Sequence, residues 1–583
     1  LFAEEIRLIA DVTQLSAPDR VVYNVDQDEY FDDLQPALDG ADPNDTIQVL
    51  TGTMFSGGIT IDTPGVTVEA TSNAKPVIEG QVIVSADGVT LDGFEVSPPP
   101  ATSNQSGEAL RINSGTTDVV VKNNTVQDFS ENGVPEWEGI DGIVAFGGSA
   151  TEPIENIEIR DNEVKRVKGR DTKGGVAGIS IQGNVDDATV QNNVVSDIGQ
   201  GETAWGFGIV IRGTGNHGID PRNVDITAND VSSVLSNPST DTLGVGLGVE
   251  ADGANYLFEN NDIDSAELGA EIKAAAGETT LSGNSFDGTG VHLADVTGNV
   301  DLTGEIGSND FGTAAGTDDA SLSGYQQAIF PAIQPAVDAS STGAGVDVGP
   351  GTYDEHVDID VVDLTLASIQ GPGQTTIDQG VSVRSGGVTV DGFEIRNPGT
   401  QGNGDPGSPG GAVGVNVHSG NQDVSVVNNV ITAIGTNDDD ANPIGVLSSD
   451  GTSGITVENN EISNLEGTDE DQGQAQGVLI NESGTQITDA TVHNNTITGL
   501  LDTRSTAAVR FNGDVTGEIT DNDISNLNTE GTIPGSGGDP GGFTQVIALQ
   551  QGGGSVTGPS NVTISGNTIS DIETTTAANF APP

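Results

Sequence analysis

The chain has 583 residues, with 87 acidic against 18 basic side chains and a formal charge of −69. That balance excludes a nucleic-acid binder, whose phosphate contacts need clustered Lys and Arg, and the absence of cysteine excludes a disulfide framework or a thiolate metal site. No apolar run reaches the ~20 residues of a membrane-spanning helix, so a folded chain this acidic is one whose self-repulsion is relieved by salt.

The first element in chain order is "EEIRLIADVTQL", where Ile6, Leu8, Ala10 and Val12 alternate with other residues and predict a strand within an N-terminal extension, residues 1–20. The opening "LFAEEIRLIA" has neither Met nor a charged-then-apolar leader, so any export signal is expected to have been removed or left out. "LQPALDGADPNDTIQVLTGTM" (34–54) follows as an amphipathic cap and a first strand.

From there a short pattern, apolar-x-polar/small-Asn-x-apolar, recurs. It is filled at Asn124, Asn162, Asn193, Asn229, Asn261 and Asn284, and again at Asn429, Asn460, Asn495, Asn522 and Asn567. Successive members of each group lie 23 to 45 residues apart, the spacing of a repeat architecture. Between them sit strands of period two bounded by Gly, such as "GISIQGN", "GIVIRGTG" and "GVLINESG". A unit made of short strands and Gly/Asn corners cannot bury its own apolar face. Stacked coils can, lining Val and Ile up in columns at a strand spacing of ~4.8 Å. Asn suits such a corner because it tolerates left-handed backbone and its amide can bond to the Asn of the next coil. The eleven asparagines are therefore stacking residues and not site residues.

The whole scheme occurs twice. "LQPAL" (34–38) returns as "IQPAV" (333–337), and "GVTLDGFEV" (88–96) as "GVTVDGFEI" (387–395), each offset by 299. The stretch 308–324 reads as the boundary, giving domains at 21–320 and 321–583, each of about eight coils.

The "V-x-N-N-x-I" ladders and the 34–54 cap resemble the right-handed parallel β-helix proteins of the pectate-lyase-like superfamily. The fold expected is all-β, two tandem right-handed parallel β-helix solenoids with Asn ladders. The superfamily includes lyases, hydrolases, viral spikes and adhesins, and its enzymes act on acidic polysaccharides through Asp-held Ca²⁺ with an Arg or Lys base, or through carboxylate pairs.

Length variation falls mainly at one corner of the coil, building a ridge. One ridge loop gathers Lys165, Arg166, Lys168, Arg170 and Lys173 beside Asp161 and Asp171, read as an anionic-substrate cleft, as a dock for an acidic surface of a neighbouring subunit, or as a solvated loop. Asp438, Asp439 and Asp440, followed roughly a coil later by Asp469, Glu470 and Asp471, suit Ca²⁺ or Mg²⁺, with no cofactor required. His217, His292, His356, His418 and His493 lack metal-ligand spacing, Trp137 and Trp205 sit in ridge loops, and no catalytic set is assigned. Sequons at Asn44, Asn104, Asn123, Asn481, Asn494 and Asn561 are glycosylation candidates in an exported chain.

The resulting expectation is an extracellular structural protein of a halophilic archaeon. It would be a self-associating subunit of a filament or sheath, with residues 6–12 and 165–173 as subunit contacts and surface glycans as further partners. The alternatives are a polysaccharide lyase or hydrolase acting on acidic glycans, and a viral spike or adhesin.

Overall fold

The computed structural model describes residues 21–72, 74–99, 107–129, 140–169, 175–199, 205–214, 219–236, 243–273, 277–298, 301–318, 320, 325–396, 412–434, 442–467, 474–502, 505–529, 543–551 and 557–574. Contacts divide the chain into two compact units. One comprises Leu1–Asn299 with Ser308–Phe311, the other Val300–Gly307 with Gly312–Pro583. Each is a right-handed parallel β-helix.

In the first unit every coil contributes one strand to each of three parallel stacks. The first stack runs from Thr46–Val49 to Gly277–Ser282, the second from Met54–Ser56 to Ser285–Asp287, and the third from Ile59–Ile61 to Val291–Asp295. The second stack holds nine strands, one coil more than the sequence period suggests. Inward positions form columns of like residues: Val121, Ile159, Val190, Ile226, Phe258 and Leu281 are in register on successive strands and at most 5% exposed. Burying one such side chain contributes roughly 1.5–3 kcal/mol, and repeating the column coil after coil supplies the core that no single coil has.

The start of the unit is closed by an antiparallel pair, Val22–Asn24 against Glu29–Phe31 and Thr46–Val49, and by helix Leu34–Asp39. Leu34, Ala37 and Leu38 are buried beneath it, and the Asp33 carboxylate accepts from the Leu34 backbone N–H at 2.8 Å.

The second unit repeats this plan with stacks of eight and seven strands besides its first stack, which runs from Gly345–Val348 to Val562–Ser565. Its closing helix, Ile333–Asp338, has Ala332 at the cap position. Glu355 from the following coil accepts from the backbone N–H of Ile333 (2.7 Å) and Gln334 (2.9 Å) instead. The antiparallel entry strand is Ala315–Thr317, paired with Gln327–Phe330 and Gly345–Val348. The 308–324 stretch therefore carries a structural strand of the second unit and is not a bare connection.

The asparagines form two continuous ladders. Asn162 Oδ1 accepts from both the backbone N–H and the Nδ2 of Asn124 (2.9 and 3.1 Å), Asn193 Oδ1 does the same for Asn162, and the pattern continues to Asn284. Each Nδ2 also donates to a backbone carbonyl of the preceding coil, such as Asn193 to Ile159 at 2.9 Å. The second ladder runs in the same way from Asn429 to Asn567.

Three details differ from the sequence reading. The left-handed residue is the one before each ladder position, as at Asn123, Asp161, Asn192, Asn428, Asn459 and Asn494, with φ between 53 and 58°. Asn309 extends the first ladder by a coil, accepting from Asn284 N–H and Nδ2 at 3.1 and 2.9 Å. At the other end Phe94 and Phe393 occupy the ladder position, and their backbone N–H groups donate to Asn124 and Asn429.

Replacing Asn193 by Ala is expected to leave the Asn162 N–H and the Ile159 carbonyl buried without partners. At ~1–3 kcal/mol for each orphaned group, denaturant unfolding of Asn193→Ala should show a loss of about 2–5 kcal/mol. Asn192→Gly, one residue away in left-handed backbone and exposed, should stay within about 0.5 kcal/mol of wild type.

Candidate functional site

The outer face of the third stack in the first unit carries a column of polar and aromatic residues fixed by the strand register. Asn113, Phe146, Gln182, Arg212 and Glu250 are in register on five successive coils. One column over, Arg111 lies beside Val144, Ser180 and Val210. The flanking Gly positions explain why the chain turns cleanly onto this face. A Cβ at Gly142, Gly178 or Gly208 would lie 2.3–2.6 Å from Val164, Val195 or Val231 in the core.

The face encloses a cavity of about 640 Å³ lined by Arg111, Glu108, Asp141, Phe146, Gln182 and Arg212, among others. A second space of about 320 Å³, lined by Gly175, Trp205, Phe207, Arg212 and Glu250, shares Arg212 with it. Trp205 is 43% exposed, so its ring presents a flat apolar surface to solvent there.

Each arginine is held from two sides. Arg111 Nη1 donates to both oxygens of Glu108 (2.6 and 2.9 Å), and its guanidinium lies 4.3 Å from the centre of the Phe146 ring. Arg212 lies 4.8 Å from the Phe207 ring centre, 3.3 Å from Glu250 Oε2 and 3.6 Å from Asp141 Oδ1. Stacking on a ring fixes the guanidinium plane while leaving its N–H edge available.

The carboxylates are differentiated by environment. Glu108 is neutralised at hydrogen-bond distance. Asp141, adjacent to it in register, is buried, and its Oδ1 has no hydrogen-bond partner. Burial pushes the Asp141 carboxyl up to about 6, with Arg212 opposing and Glu108 adding to the rise. A buried carboxyl raised in this way, in a groove, is the usual mark of a group that handles a proton. Further along, burial pulls Lys273 down, but Glu271 at 2.9 Å and Glu250 at 3.3 Å outweigh it and leave the amine above the ordinary lysine range. Lys273 is thus a fixed cation and not a base.

Of the residues singled out by sequence, Trp205 lines the groove, and the basic cluster falls elsewhere. Lys165 pairs with Glu163 at 2.6 Å, and Arg166 pairs with Asp128 at 2.6 Å, holding that carboxyl below its ordinary range. These cations serve intrachain pairs at the C-terminal end of strand Glu163–Lys165, in the middle of the second stack. Arg170 and Lys173 lie outside the described residues, as do Ile6, Leu8, Ala10, Val12, the acidic triads 438–440 and 469–471, His217, Trp137 and Asn104.

Among the described residues no group of three or more His, Asp or Glu is placed to hold a metal ion. Asn44, Asn123, Asn494 and Asn561 are exposed. The Asn123 and Asn494 amides donate to Asp92 and Asn459, and the half-buried Asn481 accepts from Asn512. His292 is buried against Thr289 and Phe311, a packing role.

The groove residues escaped the sequence reading because they are some 30 residues apart and sit singly within polar positions of strands. The signal available was the Arg of "GEALRINSG" and of "GIVIRGTG", two of only 18 basic residues in the chain.

The architecture defines a repeat solenoid of the parallel β-helix class. No family model and no curated relative matches the sequence. Solved structures with which it aligns include a PL6-family alginate lyase, at 13% identity over 92% of this chain and 98% of that one, TM-score 0.21. Another is the A-module of an Azotobacter vinelandii mannuronan C-5 epimerase, at 14% identity over 80% of this chain and 90% of that one, TM-score 0.24. A surface adhesin of Streptococcus pneumoniae aligns at 12% identity over 84% and 90%, TM-score 0.23. The register of the strands, and not these scores, carries the statement about fold.

Between pH 3.8 and about 6 the folded chain keeps a proton on Asp141 that the unfolded chain has released, so this group's contribution to stability declines as pH rises through that window. Asp141→Asn is therefore expected to be more stable than wild type at pH 7.5, by on the order of 1–3 kcal/mol, and to lose that advantage by pH 4. Denaturant unfolding at the two pH values in high salt measures it.

Proposed function

We propose that the groove of the first unit binds an acidic polysaccharide and that Asp141 handles a proton on it. The observation that carries this reading is the arrangement around Asp141. A carboxyl that burial raises to about 6 stands among two arginines, each stacked on an aromatic ring. The guanidinium edges suit sugar carboxylates, the Phe146, Phe207 and Trp205 rings suit the apolar faces of pyranose rings, and Asp141 can exchange a proton at neutral pH.

A chain of charge −69 attracts a polyanion only where its own field is screened and cations are gathered locally. The groove supplies the cations, and the proposed setting, outside a halophilic cell, supplies the salt.

This favours the glycan-acting alternative over the filament or sheath subunit. The N-terminal segment invoked for assembly lies outside the described residues, and Lys165 and Arg166 of the 165–173 cluster are engaged within their own chain. Among the described residues no helix is long and apolar enough to cross a membrane.

In 2 M KCl the protein is expected to bind oligouronates and not neutral oligosaccharides of equal length. Arg212→Gln should weaken binding about tenfold, the effect of one lost charge-assisted contact. On uronic-acid polymers, conjugated-enoate absorbance would report elimination and new reducing ends without it would report hydrolysis, and either should fall sharply in Asp141→Asn. Equal affinity for neutral and acidic oligomers would overturn the reading.

A further inference from the structure

The second unit carries an arginine whose surroundings differ from those of every other described arginine. Arg510 lies on the outer face of its third stack, on strand Ser505–Asn512, in register with Leu479 of the coil before and Ala548 of the coil after. Its Nη1 donates to the side-chain carbonyl of Gln474 and its Nη2 to that of Gln545, at 3.0 Å for the latter, while its buried Nε has no acceptor. Every other described arginine, from Arg111 to Arg396, has a carboxylate oxygen within 3.3 Å. Arg510 has none.

In a chain with 87 carboxylates that omission is informative, because the long-range field favours placing one beside any buried cation. Burial lowers the Arg510 pKa, and no opposite charge offsets it. The corresponding face of the first unit answers its arginines with Glu108, Asp141 and Glu250. Here the flanking positions are Gln474, Gln476, Gln545 and Gln550, and the buried Gln476 Oε1 also has no hydrogen-bond partner. Neutral amides orient the guanidinium and leave its charge and the second N–H of each terminal nitrogen unspent, the condition of a site made for an anion from outside the chain.

We propose that Arg510 with its glutamine surround is a second, independent anion site that takes a carboxylate, either the free group of a small organic acid or that of a uronate residue in a polymer. It does not rest on the function proposed for the first unit. Both sources offer the same planar oxyanion, which a guanidinium recognises through paired N–H donors.

The test is calorimetric titration of the whole chain at constant high KCl with acetate, monomeric galacturonate, oligogalacturonate and a neutral galactose oligomer, in wild type and three variants. Gln545→Glu places an internal carboxylate against Arg510 while keeping the cation, Arg510→Gln removes the charge, and Arg212→Gln disables the first groove. We expect a carboxylate-binding event that survives Arg212→Gln and weakens about tenfold or more in both Gln545→Glu and Arg510→Gln. The circular dichroism of those two variants should match wild type.

Binding of acetate and monomer alike would assign a free carboxylate as the source. Binding of the oligomer alone would assign a polymer. The proposal is overturned if Gln545→Glu and Arg510→Gln bind as wild type does, if the neutral oligomer binds equally, or if Arg212→Gln alone removes all binding.

Discussion

The structure depends on one interaction, the amide-to-amide hydrogen bond between asparagines of consecutive coils. Each ladder side chain accepts twice from the coil before it, through a backbone N–H and an Nδ2, and donates to that coil's backbone carbonyl and to the next amide. The arrangement is satisfied only when two coils are in register, because a slip of one residue would turn buried donors and acceptors into orphans, each worth ~1–3 kcal/mol. The ladder therefore tolerates coil lengths from 23 to 45 residues while fixing where every strand begins. Insertions are pushed to the corner between the second and third stacks, and the columns on all three faces follow.

That fixed register lets an extremely acidic chain build local cation sites. Most carboxylates lie at corners and outward positions where water and salt screen them. The cations are held at defined heights, pairing between coils, as Arg166 does with Asp128 and Arg384 with Asp358. Where a carboxylate is brought into the interior of a face, as at Asp141, its proton affinity rises because solvent is replaced by strand and ring surface. The altered chemistry of the groove is a consequence of stacking, not of a special loop.

The fold was legible because its signals are local. The Asn pattern, the Val and Ile columns and the 299-residue offset need no knowledge of tertiary contacts, and the caps at 34–39 and 333–338 follow from their amphipathic helices. Asn309 fits the same pattern, with Ile306 before it and Phe311 after it, but its Gly- and Ser-rich setting reads as a boundary. The left-handed corner lies one residue before the ladder asparagine, and sequence does not separate the two positions because Asn and Asp both tolerate positive φ and only the hydrogen bonds distinguish them. The groove was not legible for a different reason. Arg111, Asp141 and Arg212 become neighbours only after the register across coils of unequal length is known, whereas Lys165 to Lys173 catch the eye by lying close together in sequence, and two of them, Lys165 and Arg166, pair within their own chain.

The duplication separates what stacking constrains from what it leaves open. Inward positions and ladder amides keep the same residue types in the two halves, since each touches a coil on either side and a change there is felt by both neighbours. Outward positions of the third stack touch the neighbouring strands but are not needed for closure, so a glutamate in one half can face a glutamine in the other without disturbing the core. The same scaffold thus presents a charge-balanced face with Arg111 against Glu108 in one unit and an unbalanced one with Arg510 against Gln474 and Gln545 in the other. In a protein built this way chemical identity resides in those outward columns. Two copies of one solenoid are two sites of different chemistry whenever their outward residues have diverged.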